Sequence, residues 1–273
     1  MTWIALVGLG LLVGAYGTLV GAGGGFALVP VLLLLYPHDS PTTLTSISLA
    51  VVFLNAVSGS LAYGRLHRLD YRAGIKFALA TMPGAVLGAL VVGYIPRGVF
   101  DVLFGMLLLG LAGFILVRSQ PAPRHPVDEW ARRPGYTLRS ITDSDGLTHR
   151  YSFHTRLSLV LSAGVGFLSS LLGIGGGIIH VPLLIAALHF PPHIATATSQ
   201  FVLGFMSLAG TVAHVVNGDF ATGWRRTAAL GVGVIVGAQV GAALSSHVKG
   251  TLILRLLAVG LLLVGLRLVL GAL

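Results

Sequence analysis

The chain contains no cysteine and few charged residues of either sign. None of its 273 residues is cysteine, and Asp and Glu together number only 8. Without cysteine there can be no disulfide, no thiolate chemistry and no cysteine-held metal. Charged residues make up 9% of the chain, whereas a typical soluble domain has about 25%. A soluble globular fold is therefore not expected.

Apolar residues are correspondingly abundant. Hydrophobic residues make up 55% of the chain, and the mean hydropathy is +0.91. Continuous apolar runs recur, most of them near the ~20 residues that a helix needs to cross a bilayer. They lie at about 2–20, 42–62, 74–94, 98–117, 157–172, 195–216, 227–245 and 251–271. We predict an all-α polytopic membrane protein embedded in a lipid bilayer.

The net charge of +9 lies mainly in the loops between these runs. This distribution is typical of membrane topology and argues against a nucleic-acid partner. Residues 63–76 and 118–156 are both basic, so the positive-inside rule predicts that both are cytoplasmic. Residues 118–156 are also proline-rich, and we interpret them as a linker, either flexible or a short regulatory piece. The linker divides the chain into transmembrane repeats at 1–117 and 157–273.

A decapeptide occurs twice. Gly21 to Pro30 reads G-A-G-G-G-F-A-L-V-P, and Gly173 to Pro182 reads G-I-G-G-G-I-I-H-V-P. The copies share all four glycines, the valine and the proline, and weaker similarities follow each copy. The sequence therefore predicts two homologous halves of about four transmembrane segments each. The first segment of each half is broken at the glycine motif.

The path of the chain at each break has two alternatives. Residues 2–36 and 156–190 are each too long for one span and too short for two full spans and a turn. If the break only bends the chain, the repeats are parallel; if the chain folds back as a re-entrant hairpin, they are inverted. The loop charge favours the parallel arrangement, because it places Arg225 and Arg226 in the cytoplasm.

Consecutive glycines within a membrane leave backbone amides unpaired unless protein, water or a ligand meets them. Such amides can form a nest for an anion, and we expect a short helix to start near each proline with its positive end facing the break. Close helix packing is the structural alternative. No carboxylate lies in the middle of a run, which argues against a cation substrate and favours a small anion.

Candidate substrate-binding residues are the motif glycines and the polar residues that follow them. They are Gly23, Gly24, Gly25, Thr45, Ser46, Asn55, Gly175, Gly176, Gly177, His180, Thr198, Ser199 and Gln200. His180 and His214 are also candidates for proton coupling, since histidine titrates near neutral pH. No cluster of acid, base or metal ligands accompanies them, so we expect no enzyme activity, no metal and no cofactor.

The doubled G-x-G-G-G-x-x-x-V-P motif, the duplicated layout and the length resemble the TauE/SafE sulfite exporter family, also called the TSUP permeases. The resemblance implies an inner-membrane exporter of sulfite, sulfoacetate or related organosulfonates. A passive anion channel and a carrier of another small organic anion are the alternatives. A homodimer is expected as a further partner, and the linker 118–156 is longer and more charged than the family pattern.

Overall fold

The computed structural model describes residues 2–117, 132–220, 223–245, 247–248 and 250–272. The first helices are α1 (Trp3–Leu19), α2 (Gly25–Leu35), α3 (Pro41–Arg65), α4 (Tyr71–Val91) and α5 (Arg97–Val117). Strands β1 (Tyr136–Thr142) and β2 (Thr148–His154) follow. The remaining helices are α6 (Thr155–Leu171), α7 (Gly177–Ala186), α8 (Pro192–Val216), α9 (Trp224–Ser245) and α10 (Gly250–Ala272).

Five of the described helices are long and apolar enough to cross a membrane. They are α3, α4 with the short turn that follows it, α5, α8 and α9, and α1, α2, α6 and α7 are shorter apolar helices. The multi-pass helical membrane protein expected from composition is therefore confirmed. The fold is mostly helical rather than all-α, because the predicted linker contains the two strands.

Glycines let the helices approach closely. A β-carbon on Gly10 of α1 would lie 2.3 Å from the carbonyl oxygen of Leu230 in α9. One on Gly84 of α4 would lie 2.3 Å from the carbonyl oxygen of Ala163 in α6. Small residues at such contacts are a common device for packing membrane helices. Helix α1 is thereby fixed to α9, and α6 to α4.

Helices α1 and α2 form a re-entrant hairpin. Helix α9 runs in the same direction as both α1 and α3, so α1 and α3 begin at the same end of the bundle. Helix α2 ends beside the start of α3, where Arg97 donates to the carbonyl oxygens of Leu33, Pro37 and Asp39. The chain thus enters through α1 and returns to the same end through α2.

Helices α6 and α7 fold back in the same way from the opposite end. Gly84 and Gly88 of α4 meet Ala163 and Phe167 of α6 in order, so α6 starts at the end where α4 starts. Leu184 at the end of α7 packs with residues of the first turns of α4. The two hairpins therefore enter the bundle from opposite ends.

The bent path that loop charge favoured is therefore wrong. The two arginines behind that expectation have local partners at the end of the bundle opposite the β-strands. Arg226 pairs with Asp39 and lies 3.7 Å from the centre of the Tyr36 ring, and Arg225 lies over the ring of Trp224. Local ion pairs and ring contacts account for their position without a topological signal.

The predicted linker contains an antiparallel hairpin. Strand β1 pairs with β2 in the register Tyr136↔His154 to Thr142↔Thr148. The turn is closed by Asp143, whose Oδ1 accepts from the amides of Asp145 and Leu147. Residues 118–131 of the linker lie outside the described residues. For residues 136–154 the flexible alternative is wrong, because the two strands pair around a D-S-D-G turn that favours a hairpin.

Asp70 fastens this hairpin to the membrane helices. Its buried carboxylate accepts from Arg139 Nε at 2.8 Å and Nη2 at 2.7 Å, and from Tyr151 Oη at 2.6 Å. Burial of the Asp70 carboxyl opposes ionisation, but the hydrogen bonds from Arg139 and Tyr151 outweigh it and hold its pKa below the ordinary value. Because Asp70 is also the N-cap of α4, the hairpin is anchored at a helix terminus.

Candidate functional site

The two glycine motifs adopt the same backbone conformation. Gly23 and Gly24 have φ of 71° and 81°, and Gly175 and Gly176 have φ of 74° and 80°. Residues other than glycine rarely adopt this left-handed region of φ. Gly24 is the N-cap of α2, and Gly176 is the N-cap of α7. Each motif therefore ends one helix and starts a short second one.

The short helices start earlier than expected. We predicted a start near each proline, but α2 begins at Gly25 and α7 at Gly177, so Pro30 and Pro182 lie inside the helices. The left-handed glycine starts each helix, and an interior proline is tolerated in membrane helices where neighbouring groups meet the freed carbonyl. The prediction was right about short helices and wrong about their first residue.

The two breaks touch each other deep inside the bundle. A β-carbon on Gly177 would lie 2.3 Å from the carbonyl oxygen of Gly21 and 2.5 Å from the Cα of Ala22. One on Gly25 would lie 2.7 Å from the carbonyl group of Ile174. These residues are all buried. The two hairpins therefore meet backbone to backbone, with glycine where they cross.

The first amides of both short helices lack a described acceptor at this crossing. Among the described residues, none accepts a hydrogen bond from the amides of Gly25 and Phe26, or from those of Gly177 and Ile178. These are the first amides of α2 and α7, where the helix dipole is positive. Two helix N-termini at one place provide donors and partial positive charge, which suit an anion.

A network of polar side chains joins the first break to α3 and α8. Thr18 Oγ1 donates to Asn55 Oδ1 at 2.9 Å, and Gln200 Nε2 lies 3.3 Å from Thr18 Oγ1 and 3.2 Å from the carbonyl oxygen of Asn55. Ser199 Oγ donates to the carbonyl oxygen of Gly21 at 3.1 Å. Asn55 Nδ2 and Gln200 Oε1 are buried without a partner among the described residues. The network thus keeps one free donor and one free acceptor.

The second break has corresponding contacts of its own. Ser48 Oγ donates to the carbonyl oxygen of Gly173 at 2.6 Å, and a β-carbon on Gly173 would lie 2.8 Å from Thr45. Thr45 Oγ1 in turn lies 3.5 Å from His214 Nε2, while His214 Nδ1 is 3.0 Å from Asp219 Oδ2. His214 is therefore separated from the second break by one residue, Thr45, whose carbon atoms face Gly173 and whose hydroxyl donates to the carbonyl oxygen of Thr42.

Three predicted residues point elsewhere. Ser46 Oγ donates to the carbonyl oxygen of Thr43 in its own helix. Thr198 Oγ1 accepts from the amide of Asp70, so it supports the start of α4. His180 lies edge-on to the ring of Phe77, with Nε2 3.4 Å from Ser162 Oγ. The described side-chain hydrogen bonds of all three are made away from the breaks.

Several polar residues at the breaks were absent from the candidate set. Thr196 contacts Gly21 where Thr198 was expected. Thr18, Ser169 and Ser170 immediately precede the breaks, in G-T-L-V-G and S-S-L-L-G. Ser169 Oγ would lie 2.7 Å from a β-carbon on Gly176, and both serine hydroxyls are buried without a described partner. The sequence contained a signal for these residues, because the hydroxyl side chains of Thr18 and Ser170 occur at the same distance before the two glycine motifs.

Within the described ranges there is no group of three or more His, Cys, Asp or Glu residues that could hold a metal ion. The expectation that the protein has neither metal nor cofactor stays a prediction. What the site offers is backbone amides, hydroxyls and amide side chains. Such a set can bind an anion through hydrogen bonds.

Comparison with known proteins identifies the family. The family described as Sulfite exporter TauE/SafE matches residues 6–268. The chain belongs to the TauE/SafE family. A relative, the Bacillus subtilis "Probable membrane transporter protein YunE", is 30% identical over 98% of both chains.

More distant TauE/SafE relatives carry similar names. A probable membrane transporter protein of Xylella fastidiosa (strain Temecula1) is 27% identical over 91% of this chain and 87% of its own. One from Methanocaldococcus jannaschii is 28% identical over 77% and 71%. No solved structure matches the chain. The protein is thus a multi-pass membrane transporter of the TauE/SafE type, with a small-molecule substrate and the bilayer as its surroundings, and these names point away from an enzyme.

Proposed function

We propose that the protein is a secondary transporter that exports small sulfur-containing anions such as sulfite, sulfoacetate or related organosulfonates. The observation that carries this proposal is the crossing of the two glycine breaks, where the first amides of α2 and α7 have no described acceptor. The substrate class follows the family description, and the backbone donors agree with an anion. Gly23–Gly25 and Gly175–Gly177 hold the substrate in this account.

Matching contacts support a duplicated chain with inverted halves. Thr196 packs on Gly21 as Thr45 packs on Gly173. Ser199 donates to the Gly21 carbonyl oxygen as Ser48 donates to that of Gly173. The hairpins enter from opposite ends of the bundle, which agrees with inverted rather than parallel repeats. Inverted repeats with broken helices are a common basis of alternating access, because each half can open one side of a shared site.

Free donors around the crossing favour an oxyanion. Asn55 Nδ2, Ser169 Oγ and Ser170 Oγ are buried without a described partner, and each can donate to a sulfite or sulfonate oxygen. A buried donor left unpaired costs about 1–3 kcal/mol, and a bound anion would remove that cost. We assign substrate contact to these three residues together with Ser199 and Gln200.

Tight packing at the crossing favours a carrier over an open channel. A single β-carbon on Gly177 would already lie 2.3 Å from Gly21. An anion with several oxygens therefore requires the two hairpins to separate. Such a movement opens and closes the site in turn, as a carrier requires, whereas a channel needs a continuous water path.

Of the two histidines, His214 is the better candidate for proton coupling. It is separated from the second break by the single residue Thr45 and is hydrogen-bonded to Asp219, which lies at the end of the bundle opposite the β-hairpin. His180 contacts Phe77 and Ser162 instead.

We place the protein in the cell inner membrane, with the basic loop 63–76 and the β-hairpin on the cytoplasmic side. A homodimer stays a prediction.

Flux into proteoliposomes tests the proposal. Purified protein should take up radiolabelled sulfite or sulfoacetate with saturable kinetics, well above empty vesicles. Gly176→Val should abolish uptake, because the residue has φ of 80° and its β-carbon would lie 2.5 Å from Met206. Gly164→Val is the matched control, since nothing lies within 4 Å of that position. Flux equal to that of empty vesicles would refute transport of these anions, and large unsaturable ionic currents would favour the channel.

A further inference from the structure

A lateral groove runs along the membrane-facing side of α3 and α8. Its volume is about 520 Å³, within the range of small-molecule sites. On α3 it is lined at a helical spacing by Phe53, Val57, Ser60, Leu61 and Arg65, and on α8 it is lined by Phe201, Gly204, Phe205 and Leu208. Val57, Leu61 and Phe205 are exposed, so the groove opens toward lipid.

The groove is polar at one end and apolar along the rest of its length. Arg65 and Tyr71 line the end that adjoins the basic loop 63–76. Arg65 is exposed, with Nη1 3.5 Å from Gln239 Oε1. Toward the other end, Phe53, Phe205 and Leu208 provide only apolar surface. An occupant needs a negative head beside Arg65 and a hydrocarbon tail.

Ser60 adds a polar group at an intermediate depth. It lies five residues before Arg65 on α3, which is about 7–8 Å along the helix axis at ~1.5 Å per residue. Ser60 Oγ is buried without a described partner and lines the groove. The ester carbonyls of a phospholipid lie below the phosphate on the side of the chains. Ser60 is therefore placed to donate to an ester carbonyl while Arg65 meets the phosphate.

We propose that this groove binds one anionic phospholipid from the leaflet beside the basic loops. The phosphate lies at Arg65, an ester carbonyl accepts from Ser60, and one acyl chain fills the groove down to Phe53 and Leu208. Clusters of basic residues at a membrane surface attract anionic lipids, and here Arg65 belongs to such a cluster with Arg72 and Lys76. The site is separate from the crossing of the breaks and stands independently of the transported substrate.

Native mass spectrometry of the full chain tests this site directly. The protein is released from detergent in the presence of equal amounts of phosphatidylglycerol and phosphatidylcholine with identical chains. Wild type should retain one phosphatidylglycerol in preference to phosphatidylcholine. Arg65→Gln should lower that preference about fivefold, because one basic residue near the surface loses its attraction for the anionic lipid. Lys76→Gln removes the same charge at the same end without lining the groove and should lower the preference less than Arg65→Gln does.

Filling the groove supplies a second variant. Gly204 lines it, and a β-carbon there would meet only the Ala56 side chain at 3.9 Å. Gly204→Leu should therefore displace either lipid, whereas Gly164→Leu, at an exposed glycine with nothing within 4 Å, should not. Equal retention of both lipids by wild type, or an unchanged preference in Arg65→Gln, overturns the proposal. A dimer that Gly204→Leu abolishes, with no lipid retained, also overturns it, because a second copy would then occupy the groove.

Discussion

Gly177→Ala adds one methyl group where the two hairpins touch. The new β-carbon would lie 2.3 Å from the Gly21 carbonyl oxygen, 2.5 Å from the Ala22 Cα and 2.9 Å from the Ala22 carbonyl carbon. All three atoms belong to the backbone of the opposite break, so no side-chain rotation relieves the contact. The φ of Gly177 is not in the left-handed region, so the penalty is steric and tests packing alone.

The expected cost is at the upper end of the usual range for overpacking. Extra methyl groups in a packed core cost about 1–3 kcal/mol of stability. Because the methyl group of Gly177→Ala would contact backbone atoms of the opposite hairpin, we expect a cost near the upper limit, about 3 kcal/mol. For a chain of this size, 1 kcal/mol corresponds to about 2–4 °C in Tm. The melting temperature should therefore fall by about 6–12 °C.

Thermal unfolding of purified protein in detergent measures this effect, with Gly8→Ala as the matched control. Gly8 lies in α1 with nothing within 4 Å of a β-carbon. Alanine there should be neutral or should stabilise by about 0.5–1 kcal/mol, because glycine is the poorer helix former. If Gly177→Ala and Gly8→Ala have the same melting temperature, the two glycine breaks are not in contact, and the proposed crossing is refuted.

Three further results are expected. Arg139→Ala leaves the buried Asp70 carboxylate without its bidentate partner, which should cost about 3 kcal/mol and expose residues 136–154 to hydrogen exchange. Arg156→Ala, at an exposed arginine, is the control and should not increase exchange. Equal exchange in the two variants would contradict the role of Asp70 in anchoring the β-hairpin. Because folding lowers the pKa of Asp70, its stabilisation of the docked β-hairpin is fully present above the unfolded pKa of about 4 and is lost as pH falls through the folded pKa. Hydrogen exchange in the β-hairpin should therefore rise only below about pH 4. A rise near pH 6 would exclude Asp70 as the cause. Asn55→Leu removes the free donor beside the first break and should raise the KM for sulfite uptake about tenfold, equivalent to ~1.4 kcal/mol; an unchanged KM would remove Asn55 from the site.

The membrane class and the location of the breaks could be predicted because they depend on local sequence. Runs of apolar residues specify spanning helices whatever their neighbours are. Consecutive glycines mark places where positive φ is allowed, and Gly24 and Gly176 adopt it. Asn55, Ser199 and Gln200 could be found as candidates because polar side chains are costly inside a membrane unless they are paired or functional.

What could not be predicted depends on contacts between distant residues. Helix α2 returns to the end of the bundle where α1 begins. This path follows from the packing of α9 against both α1 and α3, and no local sequence pattern predicts that packing. Thr198 was chosen where Thr196 meets the break, because a two-residue shift on a helix turns the side chain to another face. The hairpin 136–154 has a local turn signal, but its docking could not be predicted because its partner, Asp70, lies far away in the chain.

Trans-stimulation in proteoliposomes tests the central claim most directly. Vesicles that contain the purified protein are loaded with unlabelled sulfite or sulfoacetate, and the uptake of the labelled anion is compared with that of unloaded vesicles. A carrier whose two hairpins part alternately around one anion should take up label severalfold faster when loaded, and Gly176→Val should remove the effect. Uptake that does not respond to internal anion, or that persists in Gly176→Val, would contradict the account.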